Sequence, residues 1–187
     1  MKKLTLLLAL ACCSDPVTSG QINALPGENP NVPVGEYHRA GQPCVLCHDP
    51  SGPASSTVFA VAGTVFAQPQ NAIGVDQAEV ALTDAKGSSF TVLTNCVGNF
   101  FVPRPGYGGS APTWDPEFPI FVRVSKDGLA RTMQGQIGRE RSCANCHNDP
   151  LPTSSQIFSS VGHVHLYLAA DTPPSYNQNC PVSPVLQ

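Results

Sequence analysis

Two pentapeptides in the chain concentrate soft and nitrogenous ligands: Cys44-Val45-Leu46-Cys47-His48 and Cys143-Ala144-Asn145-Cys146-His147. In each, two thiols stand three positions apart and an imidazole follows directly. That spacing suits a specific reaction. Both thiols add across the two vinyl groups on one edge of a porphyrin, and the histidine turns under the ring to reach its iron. With eight cysteines and five histidines in 187 residues, a shuffled chain holds one such match in about one case per hundred, so two are not coincidence. Cys44, Cys47, Cys143 and Cys146 are therefore expected to hold two covalent haem c groups, with His48 and His147 as proximal iron ligands.

The same residues admit two other chemistries. Paired Cys-x-x-Cys elements brought together make a four-thiolate zinc site, and a Cys-x-x-Cys at the start of a helix in a βαβ unit makes a redox-active dithiol. The adjoining histidines weigh against the first, and no βαβ pattern is visible for the second.

His38, His163 and His165 are left for the distal faces of two irons, and ligation by two histidines at each is the expectation. Met133 is the only methionine beyond the start of the chain and is expected to pack in the core. Residues 161–168 alternate with period two, so a strand here turns Val164, Leu166 and Leu168 to one face and His163, His165 and Tyr167 to the other. Two arrangements stay open. In one, His163 and His165 serve one haem each and His38 is spare or ligates a neighbouring molecule. In the other, His38 loops over the haem of its own motif and only one of the pair ligates.

The elements that must position these groups are short. Nineteen prolines and sixteen glycines interrupt every amphipathic run, so little helix is expected. Strands are predicted at 58–67, 79–84, 89–94, 99–102, 119–125 and 129–133, with hairpin turns at Asp84-Ala85-Lys86-Gly87 and Lys126-Asp127-Gly128. Gly63 inside the first strand marks a bulge or a close approach. The fold class is mainly β, a small antiparallel β-sandwich with loop-rich haem-binding segments at both ends. Cys96 and Cys180 are expected to form a disulfide tying the C-terminal tail to the body, two free buried thiols being the alternative.

Lys2, Lys3 and the apolar run 4–11 read as an export signal too short to span a bilayer. Ala9-Leu10-Ala11-Cys12 resembles a lipobox, which implies lipidation of Cys12; an ordinary cleaved signal is the alternative. The organisation expected is a signal over 1–11, a tether over 12–34, a first haem segment over 35–56, the sandwich over 57–134, and a second haem segment with a C-terminal strand and tail over 135–187. Charged residues make up 12% and the net charge is -3, which offers no basic stripe to nucleic acid.

The series Gly63-Thr64-Val65, Ala78-Glu79-Val80-Ala81-Leu82-Thr83-Asp84 with Gly87, and Thr94-Asn95 with Gly98 and Phe100 resembles the carboxypeptidase regulatory-like, or transthyretin-like, β-sandwich. The likeness covers about residues 59 to 133 and implies a scaffold without catalytic residues. It departs from that family in being bracketed by haem motifs and in carrying Cys96 within the Thr-Asn-x-x-Gly turn. With its two Cys-x-x-Cys-His motifs the whole chain resembles a di-haem c-type cytochrome.

A six-coordinate iron has no open position for a substrate, so one-electron transfer is expected rather than catalysis. Partners would be redox proteins, with a homo-oligomer or filament in which haems meet as a further expectation, and the location periplasmic, at the outer membrane or extracellular. The alternative is a peroxidase- or reductase-like haem enzyme, or a sensor, with one open iron and Glu36, Asp49, Glu140 or Asp149 as acid or base. Arg39, Arg104, Arg131, Arg139 and Arg141 are the guanidinium groups for haem propionates, Arg139 and Arg141 being favoured by position.

Overall fold

Alternating β-branched and aromatic residues condense into six antiparallel strands among the described residues: β1 (Phe59–Thr64), β2 (Glu79–Thr83), β3 (Ser89–Leu93), β4 (Asn99–Pro103), β5 (Phe121–Lys126) and β6 (Leu129–Thr132). The computed structural model describes residues 15–28, 30, 32, 35–107, 112–148, 161–176 and 180. The segment expected to be an export signal, Cys12, Cys13 and Asp149 lie outside them. β1 pairs with β4, and the other sheet runs β3-β2-β5-β6. The arrangement is a small, mainly β sandwich. Val61, Val65, Val80, Leu82, Val102 and Ile120 are fully buried between the sheets, and each contributes about 1.5–3 kcal/mol relative to exposure.

The β2–β5 pairing aligns Val80 with Val124 and Leu82 with Val122, so the inward residues of both strands meet on one face as the alternation requires. Asp84 closes the β2–β3 hairpin by accepting from Lys86 N and Ser88 N, both at 2.9 Å. β1 shows no alternation: all six residues are buried. Its edge away from β4 is covered, because Ala62 N donates to Arg141 O at 2.9 Å and Ala62 bridges in parallel to Ser142. A strand enclosed on every side loses the period-two signature.

Two elements differ from expectation. The tether contains helix α1 (Pro16–Ala24), started by the Asp15 carboxylate, which accepts from Val17 N at 3.0 Å, with proline in the first turn. None of its residues is buried, so apolar periodicity could not announce it; the Asp-Pro cap could. Residues 163–167 form no strand: the chain bridges in parallel from His165 to Phe66, with backbone hydrogen bonds from Phe66 N to Val164 O, Leu166 N to Phe66 O and Tyr167 N to Ala67 O, and bends at Leu166 and Tyr167. Both chains bend here, at 67–68 and 166–167, so the pairing does not extend into a ladder. Among the described residues no helix is long and apolar enough to cross a membrane. Cys96 and Cys180 form the disulfide, with Cα atoms 5.5 Å apart across 84 residues of sequence.

Candidate functional site

Both Cys-x-x-Cys-His motifs fold as the same tight turn. In the first, Cys47 N and His48 N both donate to Cys44 O, at 3.1 and 3.0 Å; in the second, Cys146 N and His147 N both donate to Cys143 O, at 3.2 and 2.8 Å. Val45 and Ala144, the residues after the first cysteine, are buried and anchor the turns. None of the four cysteines is in a disulfide.

β1 brings the two turns together. Phe59 N donates to His48 O at 3.1 Å, which holds the end of the first motif. Cys143 lies so close over β1 that a Cβ built on Gly63 would stand 2.8 Å from Cys143 Cβ and 2.9 Å from its Sγ. The glycine is there for that approach; the register shift of β1 lies elsewhere, between Phe59 and Val61. Val45 N donates to Ser142 Oγ at 3.2 Å in a buried contact between the motifs. Burial pushes the Cys44 thiol up to about 11 and, with the neighbouring Cys44, the Cys143 thiol up to about 12. Burial of this kind disfavours the free thiolate at both positions.

All five imidazoles are held by the same nitrogen. His48 Nδ1 bonds Thr57 O at 2.7 Å, His147 Nδ1 bonds Gly162 O at 2.9 Å, His163 Nδ1 bonds Asn71 O at 2.8 Å, and His165 Nδ1 bonds His163 O at 2.7 Å. His38 Nδ1 bonds Gly35 O. A carbonyl only accepts, so each Nδ1 carries the proton and each Nε2 carries the lone pair a metal takes. Burial holds His48 below the usual histidine range, aided by the nearby His38 and opposed by the Thr57 bond; burial does the same for His147, aided by His165 and His163. Neutral imidazole is the ligating form.

The His38 and His48 ring centroids are 5.9 Å apart and tilted by 37°. A metal–imidazole bond is about 2 Å and the ring centre lies about 1 Å beyond its nitrogen, so imidazoles on opposite sides of one iron have centroids about 6 Å apart. The observed pair meets that separation. The loop carrying His38 is pinned from the sandwich: Asn99 Nδ2 donates to His38 O at 3.1 Å and to Glu36 O at 3.2 Å, and Asn95 Nδ2 donates to Glu36 O at 2.8 Å. Thr64 Oγ1 accepts from Gly41 N and donates to Asn99 Oδ1, both at 2.8 Å. On the other side, His48 stacks on Phe59 at 4.1 Å. The structure thus brings His38 to the histidine of its own motif.

Beside the second motif is a cavity of about 450 Å³ whose wall includes Cys143, Cys146, His147, His163 and His165. Met133, Val161 and Leu168 also line it and are 36%, 65% and 52% exposed, an apolar mouth suited to a porphyrin edge. Met133 therefore borders the cavity instead of packing in the core. His163 is 3% exposed and stacks on Phe66 at 4.1 Å, and the residue also lines a neighbouring cavity with Pro43 and Ala144. His165 is half-buried.

Among the described residues no three His, Cys, Asp or Glu side chains converge as ligands of one ion, so the motifs do not merge into a four-thiolate centre. A six-coordinate haem iron can take an imidazole on each face; the fold sets His38 near His48 and puts His163 and His165 in one cavity wall with His147. The donor set fits haem c. Of the guanidinium groups, Arg131 borders the cavity and donates from Nε to Leu166 O at 3.0 Å. Arg141 is engaged by Asp49 and Phe59 O, Arg39 by Glu28 and Arg104 by Asp115, and Arg139 is exposed. Asn95, Asn99, Thr64, Arg141 and Ser142 make long-range contacts around the site; the sequence singles out Arg141 for a propionate and Thr64 and Asn95 within the sandwich series, and neither Asn99 nor Ser142 for the site. Comparison with protein-family models, curated proteins and solved structures returns no match.

Proposed function

We propose that the chain is an exported di-haem c-type cytochrome that transfers single electrons and does not transform a substrate. The observation that carries this reading is the pairing of His38 with His48 at 5.9 Å beside Cys44 and Cys47. Cys44, Cys47, Cys143 and Cys146 would form the thioethers, and His48 and His147 would be proximal ligands. His38 would cap the first iron, and His163 or His165 the second. When bound, haem supplies a one-electron couple at each iron.

The residues of the chain contribute position and exclusion. Backbone carbonyls fix each imidazole tautomer, Asn99 and Asn95 hold the distal loop, and Val122, Val124 and Leu168 keep the second cavity apolar. The transthyretin-like sandwich is the scaffold that presents both turns from one strand. Redox proteins at the cell exterior or in the periplasm would be the partners, and a lipid on Cys12 the anchor. With His38 turned to its own motif, the reading does not call on a neighbouring molecule to complete the first site.

The test is maturation in a host that attaches haem c, followed by intact mass and by optical and electron paramagnetic resonance spectra. Two haem groups per chain, both low-spin with two nitrogenous axial ligands, are expected. Mature protein without haem mass, or with bound zinc, overturns the reading. Rapid carbon monoxide binding to the reduced native protein favours an enzyme or sensor instead.

A further inference from the structure

Resting on the reading of both motifs as haem sites, a second function falls to a polar network that ties the two turns to each other. Asp49 follows His48 directly and Arg141 precedes Cys143 by two residues. Their side chains form an ion pair across 92 residues of sequence, 28% and 24% exposed respectively. Arg141 Nη1 also donates to Phe59 O at 3.1 Å, and its own carbonyl accepts from Ala62 N at 2.9 Å. The adjoining Ser142, 1% exposed, accepts from Val45 N inside the first turn. One residue is thus fixed on β1 by both its carbonyl and its guanidinium, while its charge is spent on the residue beside the first proximal histidine.

Arginine suits this role because its planar fork addresses two acceptors at once, which a lysine cannot reproduce. A half-buried pair also resists being opened, since removing one partner leaves the other charge partly shielded from water and uncompensated. Neither side chain bonds an iron-ligating imidazole, so their effect on the metals passes through the turns they hold.

We infer that Asp49, Arg141 and Ser142 form a positioning clamp that sets the mutual geometry of the two haem groups, so that the charge on one iron is felt at the other. Charges in a protein interior interact with a strength that depends on their separation and on the local dielectric. A clamp that fixes the separation fixes the coupling, and with it the step between the two potentials.

The test uses the matured holoprotein and the variants Asp49→Asn, Arg141→Lys and Arg141→Gln, and the charge-reversed double variant Asp49→Arg with Arg141→Asp. Haem count by absorbance reports on the underlying reading. Magnetic interaction between the ferric centres and the separation of the two reduction waves report on the clamp. The single variants are expected to keep two low-spin haems while the native coupling is lost, Arg141→Lys falling between native and Arg141→Gln, and the reversed pair, which remakes the ion pair without the bond to Phe59 O, is expected to restore it in part. Unchanged coupling in fully loaded single variants overturns the clamp and leaves the haem assignment standing. Where a single variant matures without haem, the reversed pair decides: restored loading and coupling support the clamp, and their absence overturns it. Native protein without haem overturns both.

Discussion

Replacing Gly63 by alanine places a methyl carbon 2.8 Å from Cys143 Cβ, 2.9 Å from Cys143 Sγ and 3.0 Å from Phe100 Cε1. Relief would require a movement of about half an ångström or more, and packing that cannot give costs about 1–3 kcal/mol. Here the neighbour is held tightly. Cys143 follows Ser142, whose hydroxyl is bonded to Val45 N, and Arg141, whose carbonyl is bonded to Ala62 N. The cost should sit near the top of that range, offset by about 0.5–1 kcal/mol because alanine is a better strand residue than glycine. A net loss of about 2 kcal/mol lowers Tm by roughly 4–8 °C for a chain of this size. On the proposed haem reading the displaced atom is the thiol that meets a vinyl group, so attachment at the second motif should fail before attachment at the first. Peptide mapping of haem-bearing fragments, with thermal melts of the holoprotein, reads both effects. Two haems per chain and an unchanged Tm would refute the reasoning.

Four further outcomes are expected. His38→Ala should open one iron, so that the reduced variant takes up one carbon monoxide per chain where native protein takes none; equal uptake by both sinks the pairing of His38 with His48. Applied to His163→Ala and His165→Ala, the same measurement should open the second iron in one of them, and failure in both excludes ligation from that segment. Reducing the Cys96–Cys180 bond, or Cys180→Ser, should cost about 2–5 kcal/mol, because the bond closes a loop of 84 residues whose entropy in the unfolded chain is large; chemical denaturation with and without reductant reads this, and coincident curves refute it. Asp84 is held below the ordinary carboxylate value of 3.8: burial would raise it, and the backbone N–H groups of Glu117, Ser88 and Lys86 more than reverse that. Its contribution is present above that value and is lost as pH falls through the lower folded value, so Asp84→Asn should flatten the acid limb of the stability profile, and parallel acid limbs would count against it.

The strand positions and hairpin turns were legible because they depend on local alternation and turn chemistry. Ile120, Val122 and Val124 face the core as their spacing required, and Asp84 to Gly87 turns as its residues dictate. Helix α1 was missed because it buries nothing, and Met133 was misplaced because an apolar residue at a cavity mouth looks in sequence like one in the core.

The chain's own order of residues determined the chemistry: thiols and imidazole at fixed offsets, a proton-bearing nitrogen in each histidine free to find a carbonyl, and a cysteine pair left over for a disulfide. The tertiary structure alone decided which imidazole faces which motif. His38 reaches His48 because Asn99, 61 residues away in sequence, holds its carbonyl, and the two motifs meet because both dock on β1. Local spacing encodes what a segment can bond, but the distance between segments is set by hydrogen bonds and packing among residues far apart in the chain, where no periodic pattern records it.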